Sequence, residues 1–276
     1  MSSTNEQIFP VKGEVEDIQP AQATVTIKHE AIPDFMEPMT MPYAVKDLRE
    51  LKGLKIGDQI SFQLHVTKTD SWVGEITKTG NASPRKLPSP IYEPVSTPSL
   101  SPENSIRAYK FTNELGQAVS FNDFNGQALA ITFFYSRCPL PNYCQRLSQN
   151  FQEAEKMLEA MTNAPMNWHL ISVSFDPTFD TPDMLKSYGQ SYGYDPGHWS
   201  FFTGPPEKIA ELARAAGVQY ETDGNTITHN FRTLIVDASG HLQMVFPIGG
   251  DLSGQIVDQI IKAAAVTNTV GTQSKT

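Results

Sequence analysis

Cys138 and Cys144 stand six positions apart in SRCPLPNYCQRLS and are the only cysteines in 276 residues. Such a pair supports three chemistries: a structural disulfide, a redox dithiol, or two thiolate ligands of a soft metal ion. Pro139 and Pro141 cannot lie in a helix interior, so the segment between the cysteines is a loop able to fold the two sulfurs together. Cys138 follows the apolar run ALAITFFYS, and Cys144 falls in the first turn of the helical pattern NYCQRLSQNFQEAEKMLEAMT. A helix N-terminus carries partial positive charge, which stabilises a thiolate and argues against an inert disulfide. A third donor bears on the choice between redox and metal chemistry. TITHNFRTLIV is expected to place His229 at the start of a later strand, beside the cysteine loop. Two thiolates and one imidazole make a low-coordinate soft site suited to Cu(I), and Cu(II) with an added ligand also fits that donor set.

A second group of soft donors lies upstream. HEAIPDFMEPMTMPYAV holds Met36, Met39 and Met41, just after His29. On a strand, Met39 and Met41 point to the same face. Methionine is a common filler of cores, and taken alone the cluster reads that way. Thioethers beside an imidazole, in a chain that already has a thiolate pair, instead form a set that selects Cu(I) over Zn(II). His65, His169, His198 and His241 have no companion Cys, Asp or Glu at ligand spacing and receive no role. The acidic FDPTFDTPD invites a hard-cation reading through Asp176 and Asp180, but turn and helix-cap duty accounts better for Asp180 and Asp183.

These donors need two scaffolds. Residues 8–79 contain five short segments rich in Val, Ile, Thr and aromatics, divided by Gly, Pro and Asp, with one helical candidate, VKDLREL, between the third and fourth. That order predicts a small five-stranded OB-like β-barrel. Residues 80–105 change composition, with prolines at 84, 88, 90, 94, 98 and 102, and read as an extended linker. From 106 to 268, β-α-β-α and then β-β-α patterns predict an α/β domain with the layout of a thioredoxin fold. TPDMLKSYGQSYG is a helix with Thr181 as N-cap and Pro182 at its first position, and PPEKIAELARAAG is a helix closed by Gly217. A net charge of −9, with no run of Lys and Arg, excludes a nucleic-acid surface. No stretch approaches the 18 or so apolar residues of a membrane span, and MSSTNEQIFPVKG lacks the layout of a secretory signal, so the chain as written reads as soluble.

On these residues the segment from about Lys110 to Ala265 resembles the Sco/SenC family, through ITFFYSRCP, ISVSFDPTFDTPDML and THNFRTLIVDASG. That family has a thioredoxin fold and delivers copper to the binuclear copper centre of cytochrome c oxidase, or manages the thiols of that centre. The resemblance implies Cys138, Cys144 and His229 as copper ligands and Asp176 as a group behind them. The family pattern has three residues between the cysteines, whereas this chain has five. The segment from about Val11 to Thr79 resembles the CusF-like periplasmic copper-binding domain, centred on His29 and MTM. It implies Cu(I) held by His29, Met39 and Met41, with Met36 where the family has a capping tryptophan. Together they imply a periplasmic copper chaperone, soluble or held to the membrane by an anchor, with an oxidase subunit or a copper donor protein as partner. Two alternatives stay open: a thiol-disulfide oxidoreductase using Cys138 and Cys144, and a copper-sequestering resistance protein.

Overall fold

Gln59–Val66 alternates polar and apolar residues, and in the computed structural model it is a strand with Ile60, Phe62, Leu64 and Val66 turned inward. The structure describes residues 6–20, 23–36, 38–67, 70–80, 108–141, 143–223, 226–246 and 250–266. Most of the proline-rich linker expected at 80–105 therefore lies outside the described residues. The first sheet comprises β1 (Gln7–Gln19), β2 (Thr24–His29), β3 (Met39–Ala44), β4 (Gln59–Val66) and β5 (Ser71–Gly80), in the order β3-β2-β1-β4-β5. Neighbouring strands are antiparallel, and a parallel bridge between Val45 and Val73 brings the two ends of the sheet together. This is the five-stranded OB-like arrangement the sequence predicts. The helical candidate between β3 and β4 is a single 3-10 turn, Leu48–Leu51, capped by the Asp47 side chain on the Arg49 N–H. Gly53 in the left-handed region follows directly, leaving too few residues for an α-helical nucleus.

The second sheet has seven strands. They are β6 (Phe111–Asn113), β7 (Ala118–Val119), β8 (Ala128–Phe134), β9 (Trp168–Ser174), β10 (Trp199–Thr203), β13 (Thr233–Val236) and β14 (Leu242–Phe246), in the order β14-β13-β8-β9-β10-β6-β7. β8, β9 and β10 run parallel and are buried on both faces, which is why ALAITFF is almost continuously apolar, while the three polar side chains of WHLISVS, His169, Ser172 and Ser174, are hydrogen-bonded inside the domain. Helices α1 (Cys144–Ala160), α2 (Pro182–Tyr192), α3 (Pro206–Ala215) and α4 (Ser253–Ala264) complete the α/β domain. α2 starts as predicted: the Thr181 hydroxyl accepts from the Met184 N–H, Pro182 is the first helical residue, and Gly193 closes the helix.

One placement differs from the sequence reading. His229 does not open the strand that joins the large sheet; it is the last residue of β12 (Thr226–His229), which among the described residues pairs with β11 (Tyr220–Asp223) in a separate two-stranded sheet. Asn230 makes the break. Its side-chain oxygen accepts from the Gln219 N–H at 2.9 Å and its own N–H donates to the Gln219 carbonyl at 3.1 Å, which locks the open end of this short hairpin. The chain divides into two compact units. One comprises Met1–Val95, Arg137–Gln145 and Gln219–Asn230; the other comprises Ser96–Ser136, Arg146–Val218 and Phe231–Thr276.

Candidate metal centres

In the barrel, His29 faces Gly13 on β1 and Met39 on β3 in the strand register. Gly13 is required there: a Cβ would lie 2.7 Å from the Lys28 carbonyl oxygen and 3.1 Å from the His29 Cα. The bare backbone lets β1 close on β2 at the histidine. Ile27 and His29 alternate on β2 and pair with Met41 and Met39, so these four positions share one face with Tyr43. Ile27, His29, Met41 and Tyr43 are all buried, and the His29 ring meets the Tyr43 ring edge-on at 5.9 Å between centroids. Met36 is also buried. It is held by paired backbone bonds with Ile32 around a turn in which Asp34 takes a left-handed conformation.

The hydrogen bonds of His29 fix its chemistry. Nδ1 lies 2.6 Å from the Glu30 carbonyl oxygen, an atom that can only accept, so Nδ1 carries the proton. Burial holds the imidazole pKa below its ordinary value, against the opposing effect of that carbonyl, and keeps the ring neutral. Nε2 therefore presents a lone pair, and it is buried with no hydrogen-bond partner. A buried polar atom left so costs about 1–3 kcal/mol. A metal ion would satisfy it, and a soft one would suit the neighbouring thioether positions. The residues present fit copper.

In the α/β domain, β8 ends at Phe134 and the chain passes through Ser136 into the cysteine loop. Asp180 anchors this exit. Its fully buried carboxylate accepts from the Ser136 N–H at 3.1 Å, from the Ser136 hydroxyl, and from the Ser174 hydroxyl at 2.5 Å. Burial raises the Asp180 pKa even though these donors oppose it. Cys138 and Cys144 are both buried. Cys144 begins α1, and its Sγ is 3.7 Å from Nε2 of His229. The His229 Nδ1 is 3.0 Å from the Asn230 carbonyl oxygen, so here too Nδ1–H donates and Nε2 offers its lone pair. Burial pushes the His229 pKa down to about 4, so the ring is neutral at physiological pH. Each histidine thus has one nitrogen tied to the carbonyl of the next residue and the other turned inward, the orientation a metal-ligating imidazole needs.

Cys138 sits in the loop ahead of α1. Its Sγ lies 3.9 Å from the Leu140 carbonyl, and among the described residues no three His, Cys, Asp or Glu side chains form a group that could hold a metal ion. The structure therefore brings Cys144 and His229 together without drawing Cys138 into a group of three. Asp176 is nearly buried, and its N–H donates to the Ser174 hydroxyl in the turn that carries Asp180. The remaining histidines have structural partners: His65 stacks on Trp72, His169 bonds Ser200, His198 stacks on Trp168 and His241 bonds Ser239. Sequence reasoning missed the carboxylate of Asp180 as the anchor of the cysteine loop. Among the described residues no helix is long and apolar enough to cross a membrane.

Two family models match the chain: SCO1/SenC over residues 98–265, and copper binding periplasmic protein CusF over residues 9–78. A SCO1 protein homolog of Bacillus subtilis (strain 168) is 27% identical over 109 residues, covering 39% of this chain. The match spans 54% of that relative, about half its length. Among solved structures, a SCO1/SenC family lipoprotein from Bacillus anthracis str. Ames superposes with a TM-score of 0.51 at 21% identity, covering 56% of this chain and 92% of the other. BsSco, a member of the Sco family of cytochrome c oxidase assembly proteins in which a disulfide switch was identified, gives a TM-score of 0.50 at 22% identity, covering 58% and 92%. The two structures share the fold of the α/β domain, and with its family model spanning more than half of the sequence the chain belongs to the SCO1/SenC family.

Proposed function

We propose that this protein is a copper chaperone that binds copper and delivers it for assembly of the binuclear copper centre of cytochrome c oxidase. It is organised as a Cu(I)-binding barrel (8–79), a tether (80–105) and a thioredoxin-like Sco domain (106–268). In the barrel, His29 Nε2 with the sulfurs of Met39 and Met41 holds Cu(I), and Met36 supplies a further thioether or caps the ion. In the Sco domain, Cys138, Cys144 and His229 hold copper, as Cu(I) or, with an added ligand, Cu(II). The CusF description and the lipoprotein relative support a periplasmic setting, free or anchored to the membrane. The oxidase subunit that carries the copper, or a copper donor protein, is the partner.

The observation that carries this reading is the Cys144 thiol at 3.7 Å from an imidazole nitrogen whose ring partner is already tied to a carbonyl. A neutral ring oriented in this way is ready to donate to a metal without a change of tautomer. Loading displaces the thiol protons to solvent.

A second reading, thiol-disulfide exchange by the cysteines, draws on the position of Cys138 in the loop ahead of α1, with its Sγ 3.9 Å from the Leu140 carbonyl. Copper titration of the full chain separates the two. The reduced protein should bind two Cu(I), and the protein with Cys138 and Cys144 oxidised should bind one, at the barrel. His229→Ala should weaken copper binding in the Sco domain while the cysteines still cycle between dithiol and disulfide. Intact copper binding with impaired exchange would make His229 the acid-base partner of a cysteine, and the oxidoreductase would replace the chaperone.

A further inference from the structure

All seven proposed donors, His29, Met36, Met39, Met41, Cys138, Cys144 and His229, belong to the same compact unit. That unit joins residues 1–95 to two short segments, the cysteine loop 137–145 and the hairpin 219–230, neither of which supplies a strand to the seven-stranded sheet. Within it β12, which ends in His229, lies alongside β3, which opens at Met39 and carries Met41. The two donor sets also form a ladder of strength. Thioethers and a neutral imidazole are soft but uncharged, whereas two thiolates bring negative charge to the ion and bind it more tightly.

We infer that copper passes directly from the His29–methionine site to the Cys138/Cys144/His229 site within one chain, by ligand exchange across the β3–β12 contact. The inference rests on the copper reading above. The ion stays Cu(I) throughout, so no electron moves. Bonds to His29 Nε2 and the methionine sulfurs break as bonds to the two cysteine sulfurs and His229 Nε2 form, and the two thiol protons leave to the buffer. His229 is oriented to receive the ion, with Nδ1 tied to the Asn230 carbonyl and Nε2 3.7 Å from the Cys144 sulfur. The barrel acts as a loading site for the Sco domain, and the ion crosses without entering bulk water.

The test uses the full chain. Protein with its two cysteines held as a disulfide is loaded with one equivalent of Cu(I), then treated with excess phosphine reductant so that reduction is fast. Transfer is followed by the growth of thiolate-to-copper charge-transfer absorption. A first-order rate that does not change between about 1 and 100 µM protein is expected, because a tethered site presents an effective concentration near millimolar, about a thousandfold above the lower figure. A Cu(I) chelator such as bathocuproine disulfonate should intercept little of the ion. A rate that grows with protein concentration, or capture in proportion to chelator, would overturn direct transfer while leaving two copper sites in place. If the disulfide form takes up no Cu(I), the barrel reading fails and the transfer fails with it.

Discussion

Replacing Asp180 by alanine should loosen the cysteine loop before it unfolds the domain. The Asp180 carboxylate accepts three hydrogen bonds, from the Ser136 N–H, the Ser136 hydroxyl and the Ser174 hydroxyl, and Ser174 is fully buried. Each buried donor left unsatisfied costs about 1–3 kcal/mol. Two effects reduce the sum: the serine hydroxyls can rotate to other acceptors, and a buried carboxylate is itself costly, as its raised pKa records. A net loss of about 2–4 kcal/mol follows, or roughly 5–15 °C in melting temperature for a domain of this size. Asp180→Asn keeps the shape. One amide oxygen can take the Ser136 N–H and the Ser174 hydroxyl, while the amide nitrogen donates to the Ser136 hydroxyl oxygen, so its cost should stay below about 1 kcal/mol. Denaturant unfolding of the reduced chain measures both variants. Reaction of the two thiols with a disulfide reagent reads the loop, and Asp180→Ala should speed it under conditions where the domain stays folded. Alanine within 0.5 kcal/mol of wild type, or asparagine as costly as alanine, would refute this account of the anchor.

Met36→Leu keeps nearly the same volume and deletes the thioether; if Met36 is a ligand, Cu(I) affinity at the barrel falls while the melting temperature holds, and unchanged affinity leaves Met36 as a cap. The Glu155→Gln variant tests two opposed buried groups in the α/β domain. Burial pushes the Glu155 carboxyl up to about 7, with Glu159 and Asp195 adding to the effect, and burial pushes His169 down to about 4. Between about pH 4.5 and 6.5 the folded chain keeps a proton on Glu155 that the unfolded chain has lost, so that group makes stability fall as pH rises. His169 and His229, both held near 4 by burial, act oppositely, because there the unfolded chain holds the proton. Removing the Glu155 carboxyl should make the stability of the metal-free variant rise by about 2 kcal/mol more than that of the unsubstituted protein across that window. A Glu155→Gln profile parallel to that of the unsubstituted protein would mean that Glu155 does not keep its proton in the folded chain.

What the sequence revealed, and what it concealed, divides along the range of the forces involved. The start of α2 was legible because Thr181 and Pro182 act within one turn, and β8 was legible because a strand buried on both faces is apolar along nearly its whole length. β10 was not, since WSFFT is only five residues between two loops, and β6 and β7 are shorter still. β11 and β12 are polar, and what holds them is a clamp between Asn230 and Gln219 that no periodicity announces. The same split governs the sites. His29 could be chosen by type, but its orphaned nitrogen depends on Gly13, sixteen positions away, letting two strands close together. Asp180 is the instructive case, because a signal was present. Three acidic residues and two threonines crowd the start of one helix in FDPTFDTPD, and one helix needs a single N-cap. Thr181 takes that position and Asp183 sits in the first turn, which leaves Asp180 buried without local work. A carboxylate in that state has to find donors elsewhere in the fold, and the donors it finds lead through Ser136 to a point two residues before Cys138.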